Sequence, residues 1–114
     1  MSEATNREAT NPQSKKAVLI TGGAMGQGRA HAVKFAENGF NVVLADMLDP
    51  GDGRYQETVT QLEQLGAEVL AVKANICSTP DMEKLFASAW ERFGRLDVVI
   101  ANAGVINFGY TWEL

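Results

Sequence analysis

The run Thr21-Gly22-Gly23-Ala24-Met25-Gly26-Gln27-Gly28 constrains this chain more than any other stretch, because of what flanks it. Before it, Ala17-Val18-Leu19-Ile20 has the continuous hydrophobicity of a parallel strand buried on both faces. After it, Arg29 to Asn38 carries small and apolar residues at helical spacing and stops at Gly39. A strand, a glycine-rich turn and a helix in that order form an anion site. Glycines let backbone N–H groups come close to a phosphate, and the helix N-terminus adds roughly half a positive charge. Glycines alone mark only a tight strand-to-helix turn, so the weight falls on what accompanies them.

Two further elements agree with that context. Asp46 ends the second apolar run, Asn41-Val42-Val43-Leu44-Ala45. An acidic residue at that strand end of a dinucleotide-binding fold accepts hydrogen bonds from the adenosine ribose hydroxyls, and its charge repels a 2′-phosphate. Taken alone, it reads equally well as a solvated carboxylate that ends a strand. Asn102-Ala103-Gly104 follows the fourth apolar run, residues 96–101. Asn and Gly are natural at a strand end, and that end is also where an open α/β sheet holds its ligand.

From Lys15 onward, short apolar runs alternate with helical patterns. The expected strands are 16–21, 41–46, 68–73 and 96–101. The expected helices are 26–38, 54–65 and a third that opens at Thr79-Pro80 and stops at Gly94. Tyr55, Val59, Leu62 and Leu65 share one face of the second helix, and Met82, Leu85, Phe86, Ala89, Trp90 and Phe93 form a core stripe on the third. Strands alternating with helices through short links mean a parallel sheet with right-handed crossovers. The expected order is 3-2-1-4, with the switch point between strands one and four. The glycine turn and Asn102-Ala103-Gly104 both fall at that crevice. Residues 1–14 are polar and poor in large apolar groups, which predicts a disordered arm ahead of a nucleotide-binding domain over 15–114.

Together the Thr-Gly-x-x-x-Gly-x-Gly turn at 21–28, Asp46 and Asn102-Ala103-Gly104 resemble the short-chain dehydrogenase/reductase family, over about residues 15–114. The run Gly26-Gln27-Gly28-Arg29-Ala30-His31-Ala32 and the tail Tyr110-Thr111-Trp112-Glu113-Leu114 are similar to its carveol-dehydrogenase-like, mycofactocin-associated branch, whose members hold NAD tightly. The resemblance implies the N-terminal half of a Rossmann-type, doubly wound parallel α/β sheet, with NAD as cofactor. It implies a pyrophosphate over Gly22, Met25, Gly26, Gln27 and Gly28, and a ribose on Asp46. Position 25, often basic in members that prefer NADP, is methionine, which agrees with Asp46 in favouring NAD. Where the family commonly has an Asp for the adenine amino group, this chain has Asn75, followed by Ile76; an amide oxygen accepts the same bond. Asn102, Ala103 and Gly104 are implied to pack against the adenosine and its ribose.

Hydride transfer in this family also needs Tyr-x-x-x-Lys and an upstream Ser, the Lys lowering the pKa of the Tyr that moves the proton. Here Val59 stands four residues after Tyr55, and Leu114 four after Tyr110. The expectation is the cofactor half of an NAD-dependent oxidoreductase acting on an alcohol or ketone. That half is expected to be an N-terminal fragment, inactive by itself, with a homo-oligomer expected of the full-length form. The alternative is a non-catalytic NAD-binding or regulatory module complete at this length. A methyltransferase-like fold also holds adenosine with a glycine turn and an acidic strand end, but it lacks Asn-Ala-Gly.

Composition narrows the partners. A net charge of −4 without a basic cluster argues against nucleic acid. No apolar stretch reaches the roughly 18 residues of a membrane span, and the N-terminus lacks the apolar core of a signal peptide. The single cysteine, Cys77, forms no internal disulfide and suits a reducing cytoplasm. It has no basic neighbour to activate it and reads as a quiet loop residue. His31, inside the first helix with no orienting carboxylate, reads as a surface or packing histidine, and Arg29 as a solvated helix arginine. Asp49 and Asp52 belong to turn chemistry rather than to a cation site.

Overall fold

A computed structural model describes residues 15–102. The expected arm at 1–14, together with Ala103, Gly104 and the tail to Leu114, lies outside the described residues. In chain order the elements are β1 (Ala17–Thr21), α1 (Gly26–Glu37), β2 (Asn41–Asp46), α2 (Gly53–Gln64), β3 (Val69–Lys73), α3 (Thr79–Phe93) and β4 (Val98–Ala101). All strand pairs are parallel, and the order β3-β2-β1-β4 is the one the alternating pattern implies.

β1 lies between β2 and β4, and each of its residues is buried. Successive side chains point to opposite faces of a sheet. Val18, Ile20, Val42 and Leu44 therefore join Ala32 and Ala36 of α1 and Tyr55 and Leu62 of α2 in one cluster. Ala17, Leu19, Val43 and Ala45 pack on the opposite face against Leu85, Ala89 and Phe93 of α3. Right-handed crossovers produce this division: the chain steps outward from β1 to β3 under two helices, then returns across the other face to β4. Leu19 and Ile20, each fully buried, contribute about 1.5–3 kcal/mol apiece relative to exposure.

The structure corrects the sequence reading at four places. β4 begins at Val98, later than the apolar run suggests, because Asp97 docks on the start of β1 instead. Its N–H donates to the Ala17 carbonyl and its carboxylate accepts the Ala17 N–H at 2.8 Å. α3 is capped by Ser78, whose Oγ accepts from the Asp81 N–H, so Pro80 stands at the second helical position and not at the first, where the sequence expects it. Trp90 is 61% exposed. A helix turns about 100° per residue, and Trp90 falls beyond the arc that Leu85, Ala89 and Phe93 bury. Leu65 is 40% exposed because it caps the end of α2, where the backbone leaves the helical path.

Candidate cofactor site

The carboxyl ends of β1, β2 and β4 converge on the turn that opens α1. The N–H groups of Gly22 and Gly23 both donate to the Ala45 carbonyl, at 2.7 and 3.3 Å, and so tie the turn to the end of β2. The Asn102 N–H donates to Thr21 Oγ1 at 3.0 Å and its side-chain amide to the Gly22 carbonyl at 3.4 Å, which ties the turn to the end of β4. Thr21 Oγ1 in turn donates to the Ile100 carbonyl at 3.4 Å.

Glycine is required here for two different reasons. At Gly28 a Cβ would lie 2.0 Å from the Gly22 carbonyl oxygen, so only a bare backbone lets α1 start this close to β1. Gly26 has open space but a φ of +61°, which L side chains rarely adopt. The helix that follows begins without protection. Met25 offers no side-chain cap, and no acidic residue stands in the first turn of α1. By contrast, Asp52 caps α2 through the Arg54 N–H, and α3 has both its Ser78 cap and Asp81 in the first turn. The first N–H groups of a helix have no intrahelical partner, so α1 leaves donors and the positive end of its dipole for an anion. The sequence lays the pyrophosphate over Gly22 to Gly28, with contacts expected from backbone N–H groups around Met25 and Gln27. Gly22 and Gly23 turn to Ala45, and among the described residues the N–H groups of Met25, Gly26, Gln27 and Gly28 are left without a backbone partner.

Asp46 stands beside this opening, half-buried. Oδ2 accepts the Ala24 N–H and Oδ1 the Leu48 N–H, each at 3.1 Å. Two backbone bonds set the carboxylate plane, and each oxygen keeps a lone pair for a hydroxyl. Beyond β3, Asn75 is exposed and Ile76 half-buried. The Asn75 side-chain oxygen accepts the Cys77 N–H at 2.9 Å, and the Asn75 N–H donates to Asp81 Oδ2 at 2.8 Å. The amide oxygen therefore already serves a turn, with one lone pair remaining.

The structure also assigns the single residues that invite over-reading. His31 is exposed on α1. Arg29 turns away from the glycine turn toward α2, its Nε 2.8 Å from Gln61 Oε1 and its Nη1 3.6 Å from Glu57 Oε1. Asp49 accepts the Gly51 N–H and Asp52 caps α2, so both serve local backbone. Cys77 is exposed. Among the described residues no three His, Cys, Asp or Glu side chains group as metal ligands, and no helix is long and apolar enough to cross a membrane.

Two residues support the site in a way the sequence does not announce: Tyr55, expected only on the core face of α2, and Thr58. Tyr55, buried, places its hydroxyl 2.8 Å from the Leu44 carbonyl and 3.1 Å from the Val72 N–H, at the paired ends of β2 and β3. Burial pushes its pKa up. Thr58, also buried, donates to the Ala24 carbonyl inside the glycine turn. A polar side chain on the apolar face of α2 was the available signal.

Over residues 16–114 the sequence matches the short chain dehydrogenase family. It is 38% identical over 109 residues to an uncharacterized NAD-dependent oxidoreductase of Mycobacterium tuberculosis, covering 87% of this chain and 40% of that protein. Its fold is similar to a short chain dehydrogenase from Mycobacterium paratuberculosis bound to NAD. The identity is 32% and the TM-score 0.72, over 80% of this chain and 37% of that one. Carveol dehydrogenase from Mycobacterium avium in complex with NAD is similar at 29% identity and a TM-score of 0.72, over 79% of this chain and 36% of that one. The chain spans about two fifths of the length of the relatives it matches.

Proposed function

Because this chain belongs to the short-chain dehydrogenase family, we propose that it holds the adenosine diphosphate half of NAD for an oxidoreductase acting on an alcohol or ketone. The observation that carries this reading is the uncapped start of α1, with Asp46 bonded into the turn beside it. In this reading the N–H groups of Met25, Gly26, Gln27 and Gly28 hold the pyrophosphate. Asp46 accepts the ribose hydroxyls and repels a 2′-phosphate, so NAD is preferred to NADP. Asn75 and Ile76 border the adenine, and Asn102, Ala103 and Gly104 the adenosine ribose. When bound, the nicotinamide supplies the hydride acceptor. These residues bind and orient it.

The proton is moved by residues other than those of 15–102. Tyr55 has no lysine four positions on, its hydroxyl is held by strand backbone, and its pKa is raised, whereas proton transfer near neutral pH needs it lowered. The chain is therefore expected to bind NAD without oxidising an alcohol by itself, and the full-length form is expected to be a homo-oligomer. Calorimetric titration with NAD, NADP and S-adenosylmethionine tests the reading. NAD is expected to saturate one site, with NADP at least about tenfold weaker, since a like charge at close range costs more than 1.4 kcal/mol. Preference for S-adenosylmethionine, or no saturation by NAD, overturns it.

A further inference from the structure

We propose that Thr58 is a positioning residue that aims the Met25 N–H at the dinucleotide pyrophosphate; this rests on the NAD reading above. Thr58 is fully buried, on the face of α2 that also carries Tyr55 and Leu62. A threonine inside a helix commonly turns its hydroxyl back on the carbonyl four residues earlier. Thr58 has that option, Arg54 O at 3.3 Å, yet its short bond of 2.6 Å leaves the helix for the Ala24 carbonyl, 34 positions earlier. The hydroxyl has one proton, and the shorter, better bond takes it.

The geometry of a trans peptide supplies the consequence. The carbonyl of Ala24 and the N–H of Met25 share one plane and point in opposite directions. Among the described residues there is no cis bond. Holding the Ala24 oxygen against α2 therefore turns the Met25 N–H away from α2. The preceding peptide is fixed as well, because the Ala24 N–H donates to Asp46 Oδ2 at 3.1 Å. Ala24 is thus held on both sides, by Thr58 and by the carboxylate assigned to the ribose. Met25 itself is 44% exposed, and its N–H has no partner among the described residues. Without the Thr58 hydroxyl this peptide is free to rotate, and the first donor of the anion site loses its aim.

The test compares ligands that carry the diphosphate with one that lacks it. The full-length protein and its Thr58→Val and Thr58→Ser variants are titrated with NAD, ADP and adenosine. Thr58→Val is expected to weaken NAD and ADP about tenfold, the worth of one hydrogen bond to a charged group, and to leave adenosine within about twofold. Thr58→Ser is expected to restore both. An equal loss for all three ligands marks a merely structural role and overturns the proposal, as does unchanged NAD and ADP binding. A wild-type protein that binds no NAD removes the cofactor reading first, and this one with it. A second measurement does not depend on any variant folding. The Met25 amide resonance of the wild type is expected to shift on adding ADP and not on adding adenosine, and an unmoved resonance overturns the assignment.

Discussion

Replacing Gly28 with alanine sets two effects of opposite sign against each other. Gly28 lies in the first turn of α1, where alanine is the better helix former by about 1 kcal/mol. A Cβ there would stand 2.0 Å from the Gly22 carbonyl oxygen, 2.7 Å from its carbon and 2.9 Å from the Gly23 Cα. Even the closest weak carbon–oxygen contacts in proteins lie at roughly 3.3 Å. All three neighbours are backbone, so no side chain swings aside, and α1 must lift from the end of β1 by about 1 Å. Ala32 and Ala36 then lose contact with the cluster they fill. Overpacking costs about 1–3 kcal/mol, and a backbone clash belongs at the upper end of that range. The net loss is about 1–2 kcal/mol after the gain in helix propensity is subtracted. Gly53→Ala is the control, because Gly53 opens α2 with nothing within 4 Å of a Cβ. Urea titration followed by circular dichroism reads both variants. At a slope of about 1 kcal/mol per molar, the Gly28→Ala midpoint falls by about 1–2 M while the Gly53→Ala midpoint holds or rises. A Gly28→Ala midpoint at or above that of Gly53→Ala would refute this account of the turn.

Asp46→Ser removes the charge proposed to face a 2′-phosphate. It is expected to lower NAD affinity about tenfold and to shrink the preference for NAD over NADP, read by parallel titrations; an unchanged ratio of the two dissociation constants contradicts the assignment. Tyr55→Phe removes the oxygen that accepts the Val72 N–H and the single proton given to the Leu44 or the Val72 carbonyl, and is expected to cost about 1–3 kcal/mol in denaturant titration. The same variant has a pH signature. Burial raises the Tyr55 pKa in the folded state, so its contribution is complete below the unfolded value of about 10 and is lost as pH rises above it. The wild type should lose more stability than Tyr55→Phe as pH rises above about 10, with equal losses below it, and parallel losses throughout would count against a buried hydroxyl.

The parts of this fold that were legible in sequence are those written in neighbouring residues. The first buried strand, expected at 16–21 and found at Ala17–Thr21, the glycine turn and the acidic end of the next strand each declare themselves within a few positions, and the alternation between them implies β3-β2-β1-β4. Contacts made across the sheet were not legible. Thr58 reaches Ala24 and Tyr55 reaches Val72 only after the strand order has brought distant segments together, and neither partner carries a local mark. Trp90 fits the helical period as well as Phe93 does, yet only Phe93 has the sheet beneath it. The period says which residues share a side of a helix. Where that side stops being covered depends on the neighbours. The N–H groups that Gly22 and Gly23 give to Ala45 were equally hidden, since glycine composition does not say which way a donor points.

The grip of Asp97 on Ala17 joins residues 80 positions apart, and it bears on the order in which the molecule is made. β1 pairs with β2 across a single intervening helix, but its other edge waits for nearly all of the described chain to emerge before β4 arrives. Contacts between segments far apart in sequence form late and set the pace of folding. The Asn102 bonds to Thr21 and Gly22 depend on that same late strand. Among the described residues the crevice between β1 and β4 is thus the last part to close, and a ligand held there would favour chains in which β4 has already paired.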